Sequence, residues 1–205
     1  MRARIFFWSI TSALAGFLFG FDTVVISGAE QTIQSLWHLS PTMHGLAMGS
    51  ALYGTVLGSL LGGWPTDRFG RKPTLLYIGS FGYILSLGLT AWAFFTEHFA
   101  IVPACIFAFI AAHAIGQGAV IWVFISEIFP NRHRAEGQTL GSFTHWIFAA
   151  LLTTFFPGMV AAFAPGYVFA FFAFMMVLQL IWVKMSVPET KGKSLEEIQQ
   201  KLGLA

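Results

Sequence analysis

Asp22 is the one acidic residue in the first long apolar stretch of this chain, about residues 6–27. A carboxylate inside such a stretch is expensive, and where one persists it commonly carries a proton or pairs with an ion. Burial raises a carboxyl pKa and favours the neutral acid. Asp22 stands about one and a half turns from the end of its stretch, so a side chain wetted near the interface is the competing explanation. His113 and Gln117 lie four apart in a later stretch, on one helical face. An imidazole and an amide placed there either hydrogen-bond a polar solute or bond a neighbouring helix, and the spacing supports both equally. Gln138, Gly141, Ser142, His145 and Thr153 recur along one side of the next stretch, which should face a cavity or another helix rather than lipid. Trp122 and Trp146 stand among these groups. The chemistry such residues offer is reversible binding of a polar solute and movement of protons. Covalent catalysis is not indicated. Cys105 is the lone cysteine, so there is no disulfide framework. The glycine-rich stretch 45–62 lacks the Lys-Ser/Thr ending of a phosphate loop. No enzyme, no metal site and no cofactor are expected.

The elements that must hold these residues are membrane helices. The chain has 205 residues, of which 56% are hydrophobic and only 10% charged, where a soluble domain carries about 25% charge. Several apolar runs exceed the roughly 20 residues that span a bilayer. The expected fold is all-α and polytopic, with six transmembrane helices near 6–27, 43–64, 74–95, 101–126, 138–160 and 165–187. The N-terminal Met-Arg-Ala-Arg precedes a run too long for a signal peptide, and it reads as an uncleaved first span. All eleven Lys and Arg residues fall in segments 1–5, 65–73, 127–137 and 188–205, or at Lys184, which can snorkel from a helix end. That asymmetry places these segments and both termini in the cytoplasm. The net charge of +2 comes from loop anchors, so the bilayer is the implied partner and nucleic acid is not. Gly45, Gly49, Gly54, Gly58 and Gly62 provide small residues four apart, which let helix backbones approach closely.

Three polar segments join these helices. The turn Gly63-Trp64-Pro65-Thr66-Asp67-Arg68-Phe69-Gly70-Arg71-Lys72 must lie outside the hydrocarbon, and Asp67 within a basic turn predicts a packed ion pair. Glu127 ends the fourth span, where a helix C-terminus disfavours an anion unless a cation neutralises it. Arg134, Arg68 and Arg71 are the expected partners, making one charge network of Asp67, Arg68, Arg71, Glu127 and Arg134. In the tail, Ser194 followed by Glu197 is a capping box and predicts a short helix over about 195–202. Ser40 before Pro41 predicts a helix start of the same kind.

Four motifs together resemble the sugar porters of the major facilitator superfamily. Gly20-Phe21-Asp22 resembles their G-Y/F-D, and the turn 63–72 resembles their signature loop. Glu127 to Arg134 resembles the E-x6-R after the tenth span, and Pro188-Glu189-Thr190-Lys191-Gly192 resembles the P-E-T-K-G ending. The resemblance covers nearly the whole chain. It implies transport of a hexose or pentose with protons, Asp22 being the proton-linked residue and Gln117, Trp122, His145 and Trp146 the sugar contacts. It also implies a bacterial inner (plasma) membrane location. The family has twelve spans, so the chain resembles an internally deleted or truncated member. Residues 1–64 resemble the N-terminal spans and 96–187 the C-terminal ones, with the join inside 65–95 or near 96–100 and the tail at 188–205. The third span descends from either the third or the ninth of the family. The arginine that would pair with Asp22 is missing, and Gly118-Ala119-Val120-Ile121-Trp122 lacks the proline of the family's G-P-x-x-W. A six-span chain supplies one shell of a two-shell transporter. It is expected to act, if it transports, as a homodimer. The alternative is a non-transporting membrane remnant or interaction partner.

Overall fold

The computed structural model describes residues 63–202 without a break, residues 40–46, and the single positions Ile10, Gln34, His38, Gly49, Tyr53, Val56 and Leu60. Asp22 lies outside the described residues, as do nearly all of the expected first and second spans. Within 40–46, Ser40 Oγ accepts from the Met43 backbone N–H at 3.3 Å and the Ser40 carbonyl from His44 N–H at 2.8 Å, the predicted helix start.

The described chain is helical throughout. Helix α1 is Gly63–Phe69. After Gly70 one continuous rod begins at Arg71, passes through a π-helical segment Thr74–Ser80 and becomes α2, Phe81–Phe95. Then follow α3, Val102–Ile115, and α4, Gln117–Ile128. Next come α5, Arg134–Ala162, and α6, Pro165–Ser186, and the tail ends in α7, Leu195–Leu202. Among the described residues, four stretches are long and apolar enough to cross a bilayer: Tyr77–Phe95, Phe99–Ile128, Asn131–Phe156 and Pro165–Ser186. They coincide with the last four expected spans, with two differences. The long helix of the fifth begins earlier, at Arg134. The fourth is two helices, because the chain breaks at Gly116 (φ −87°, ψ −101°).

Small residues set this architecture. α2 packs most extensively on α6 and next on α3, while the π segment touches α3, α4 and α6. Helices in lipid gain little from burying apolar area and associate instead by close van der Waals packing. Gly116 meets the π segment at Gly79, where a Cβ on Gly116 would stand 2.6 Å from the Gly79 Cα. One turn along, a Cβ on Gly82 would overlap that of Ala112. On either side of this crossing sit two cores. One joins Tyr83, Leu87, Phe109, Phe156, Phe169 and Phe172 across α2, α3, α5 and α6. The other joins Phe124, Ile128 and Phe129 to Val183, Val187 and Ile198 of α6 and the tail. Ile198 is the buried residue by which α7 docks. The capping box holds that helix: Ser194 N–H donates to Glu197 Oε2 at 2.8 Å, and Glu197 N–H to Ser194 Oγ at 3.2 Å.

Candidate functional site

Two polar regions stand out in an otherwise apolar bundle, one halfway along the helices and one at the basic end. In the first, α2, α3 and α4 bring together Tyr83, His113 and Gln117. Tyr83 Oη and His113 Nδ1 are 2.6 Å apart, and both residues are buried. Gln117 is fully buried, its amide seated on Gly79 so closely that any Cβ there would overlap it. Neither Oε1 nor Nε2 of Gln117 has a hydrogen-bond partner among the described residues. The side chain expected to touch a solute is therefore closed into a helix crossing.

The neighbouring face, between α4 and α5, carries the other three expected solute contacts. The Trp122 and His145 rings meet edge to face at 5.9 Å, and those of His145 and Trp146 at 4.7 Å. Gln138 Nε2 donates to the Trp122 carbonyl at 3.1 Å, tying the start of α5 to α4. His145 is buried, whereas Trp146 is 67% exposed. The stripe of α5 is thus split: Gly141 and His145 are buried, Gln138 and Ser142 are half-buried, and Thr153 faces outward. Of these groups the Trp146 ring is the exposed one, while the imidazole and the amide lie behind it, packed against α4.

At the basic end, the tail takes part in contacts beyond the expected network. Glu127 Oε2 accepts from Thr190 Oγ1 of the tail at 2.6 Å. Arg134 makes no ion pair with it among the described residues, and its Nε and Nη2 have no hydrogen-bond partner there. Arg68 lies over the Trp64 ring at 5.4 Å, a cation–π contact. The Arg71 side chain lies outside the described parts of the structure. The group that joins the turn to the tail is Glu189. Its Oε2 accepts from the Lys72 backbone N–H at 3.1 Å and its Oε1 from Lys191 N–H at 2.8 Å. An anion at the first turn of a helix is favourable there, because the unpaired N–H groups and the helix dipole both attract it. Lys72 Nζ in turn donates to the Lys184 carbonyl at 2.9 Å, and Lys191 Nζ to the Arg68 carbonyl at 2.5 Å. On α7, a hydrogen bond with Lys193 and the charge of that residue push the Lys201 amine below the ordinary lysine range. One link between the turn and the end of α4 runs through Glu189 and Thr190 of the tail. Sequence reasoning saw both residues only as part of a terminal motif. Their signal was the carboxylate-hydroxyl pair just past a membrane helix.

Comparison with known proteins places this architecture. The family model described as Sugar (and other) transporter matches residues 8–105 and 99–202, which is nearly the whole chain. The glucose transporter GlcP of Staphylococcus epidermidis is 35% identical over 161 residues, covering 76% of this chain and 36% of that protein. The D-xylose-proton symporter of Escherichia coli is 36% identical over 96 residues, covering 43% of this chain and 19% of that protein. Among solved structures, the proton:xylose symporter XylE bound to 6-bromo-6-deoxy-D-glucose superposes with a TM-score of 0.82 at 26% identity, over 95% of this chain and 42% of that one. The chain spans less than half the length of these relatives.

Proposed function

The chain belongs to the sugar transporter family of the major facilitator superfamily, and from that premise we propose that it binds a hexose or pentose and moves it across the bacterial inner membrane with protons. The observation that carries this reading is the wall of Trp122, His145 and Trp146, with Gln138 pinned beside it and the Trp146 ring open. Sugars are held by stacking of their apolar faces on aromatic rings and by hydrogen bonds to polar side chains, and this wall has both. Gln117 joins it only if α4 turns about Gly116 and frees the amide from Gly79. Asp22 remains the proposed proton-linked carboxylate. The six spans run with both termini cytoplasmic, so the basic end faces the cytoplasm.

Transport in this superfamily takes place between two half-shells that rock about a central site. In the proposed assembly a second copy of the same chain faces the first. Two copies with the same orientation present their α4–α5 walls to a shared cavity. A second reading draws on Gln117, an expected solute contact that is closed into a helix crossing. On that reading the chain is a membrane partner that does not itself transport. Uptake of labelled glucose and xylose into proteoliposomes, with and without a proton gradient, decides between the two when combined with crosslinking to count subunits. Uptake by crosslinked dimers supports the proposal. Absence of both uptake and exchange overturns it, and gradient-driven accumulation by a monomer overturns the two-copy assembly.

A further inference from the structure

We propose that the Tyr83–His113 pair, with the Gln117 amide one turn along, is a proton-carrying site at the middle of the membrane. The inference rests on the sugar–proton transport proposed above and gives the proton a place to reside within the described helices. Three observations support it.

The first is depth. His113 lies 14 residues into the stretch Phe99–Ile128, about 21 Å along it, and Tyr83 lies 12 residues from the outer end of Tyr77–Phe95, about 18 Å. Both sit near the midplane, where a titratable side chain is costly and marks a pathway more often than a packing choice. Imidazole is also the side chain whose ordinary titration lies closest to neutral pH.

The second is that the pair tolerates either protonation state. With a neutral imidazole, the ring proton is on Nε2 and Tyr83 O–H donates to Nδ1 across the 2.6 Å bond. Uptake of one proton places it on Nδ1. The bond survives reversed, with Nδ1–H donating to Tyr83 Oη. The hydroxyl proton must then turn to another acceptor, and the site gains one positive charge.

The third is that an acceptor lacking a donor lies close by. The Gln117 amide is seated on Gly79, four residues before Tyr83 in the same rod. Gln117 Oε1 is fully buried and has no partner among the described residues. An unsatisfied amide in an apolar interior is strongly unfavourable. A state in which Gln117 Oε1 accepts a hydrogen bond from the Tyr83 hydroxyl, released from Nδ1 when the imidazole carries a second proton, removes that penalty. The ring lies close to Gly118, where a Cβ would stand 3.1 Å from His113 Nε2. The helix break at Gly116 and the π segment opposite allow local movement at this level. The other titratable side chains on the surrounding elements are His145 on α5, Cys105 two turns back on α3, Tyr77 on the π segment, Glu127 at the end of α4, and Tyr167 and Lys184 at opposite ends of α6. Among the described residues, α2 and α6 otherwise present the uncharged Ser86, Thr90 and Gln179 to the interior.

The test compares wild type, His113→Gln and Tyr83→Phe in proteoliposomes by two transport assays. Counterflow of labelled xylose needs sugar binding but no proton gradient, while accumulation needs the gradient. A third readout, ¹⁵N-histidine NMR with His113 assigned by its loss in His113→Gln, follows protonation directly. The expected result is counterflow kept and accumulation lost in His113→Gln, a His113 signal that changes protonation state as pH is varied, and a displaced midpoint in Tyr83→Phe. Accumulation equal to wild type in His113→Gln, or a His113 signal that does not titrate, overturns the site. Wild type without counterflow overturns the transport reading instead, and the NMR arm still decides the site. Tyr83→Phe changes one atom, so it keeps the test open if His113→Gln fails to fold.

Discussion

Glu189 and Gly70 are in contact across the basic end of the bundle, and the contact needs both residues. Gly70 is buried with φ +103°, in the region that L side chains rarely adopt, and a Cβ there would stand 2.6 Å from Glu189 Oε2. With no side chain at 70, the carboxylate reaches past it to the Lys72 backbone N–H. Replacing Gly70 by Ala is expected to strain the backbone and displace the carboxylate together, at a cost of about 1–3 kcal/mol from the conformation alone. The measurement is thermal unfolding in detergent, paired with trypsin cleavage at Lys191 and Lys193. Glu189→Gln keeps the shape and weakens the helix-start interaction, so it should expose the same cleavage sites with a smaller loss of stability. Unchanged cleavage in both variants would refute the docking role of the tail.

Gly79 and Gly116 meet backbone to backbone within the membrane region, and they predict a contrast among glycines. At Gly116 the added Cβ meets backbone, 2.6 Å from Gly79 Cα and 2.9 Å from Gly79 N, so no rotamer change relieves it. At Gly88, in the same rod as Gly79, an added Cβ meets nothing within 4 Å. Gly116→Ala should therefore destabilise by roughly 1–3 kcal/mol, the usual cost of overpacking. Gly88→Ala should be neutral or stabilise by about 0.5–1 kcal/mol, since glycine is a poor helix former. Fluorescence-monitored unfolding of the two variants side by side checks this. Equal effects would mean that the helices do not meet at Gly116.

The positions of charges give a prediction about orientation. Every Lys and Arg in the chain falls at one end of the expected spans, and the positive-inside rule predicts that this end is cytoplasmic. Reporter fusions at Lys72, His133 and Ala205 should read inside, and fusions at Gln31 and Ala162 outside. An inside signal at Ala162 would contradict the placement of α5 and α6.

Periodicity and composition were enough to locate α2, α5, α6 and α7, because lipid-length apolar runs and a capping box depend on neighbouring residues alone. The break at Gly116 was not legible, since nothing local distinguishes it from the other glycines. It follows from the close approach of Gly79, 37 residues earlier in the chain. What charge counting did not reveal is the part played by the tail at the basic end. The chain brings the Thr190 hydroxyl to Glu127 and the Glu189 carboxylate to a backbone N–H. Gln117 was singled out for its polarity in an apolar run. Whether it faced a cavity or a helix depended on the opposite residue being glycine, which helical spacing cannot reveal.

The exposed ring of Trp146 gives the last prediction, on solute contact. Trp146 sits edge to face with His145, which sits edge to face with Trp122. Removing Trp146 deletes an exposed surface and leaves the buried pair intact. Removing Trp122 deletes the ring that orients His145. If these residues form the sugar wall, Trp146→Ala should weaken xylose or glucose binding while unfolding stays near wild type. Aromatic contacts of this kind are worth about 0.5–1.5 kcal/mol, and 1.4 kcal/mol is tenfold in affinity, so the expected loss is roughly 2–10-fold. Trp122→Ala should lose both affinity and stability, because a half-buried ring against α5 is also removed. Trp146→Phe keeps an aromatic face and should recover most of the affinity. Binding is read by equilibrium dialysis of labelled sugar against purified protein, and stability by thermal unfolding of the same samples. A Trp146→Ala protein that binds sugar as wild type does, while Trp122→Ala loses only stability, would show that the wall serves packing and that sugar binds elsewhere.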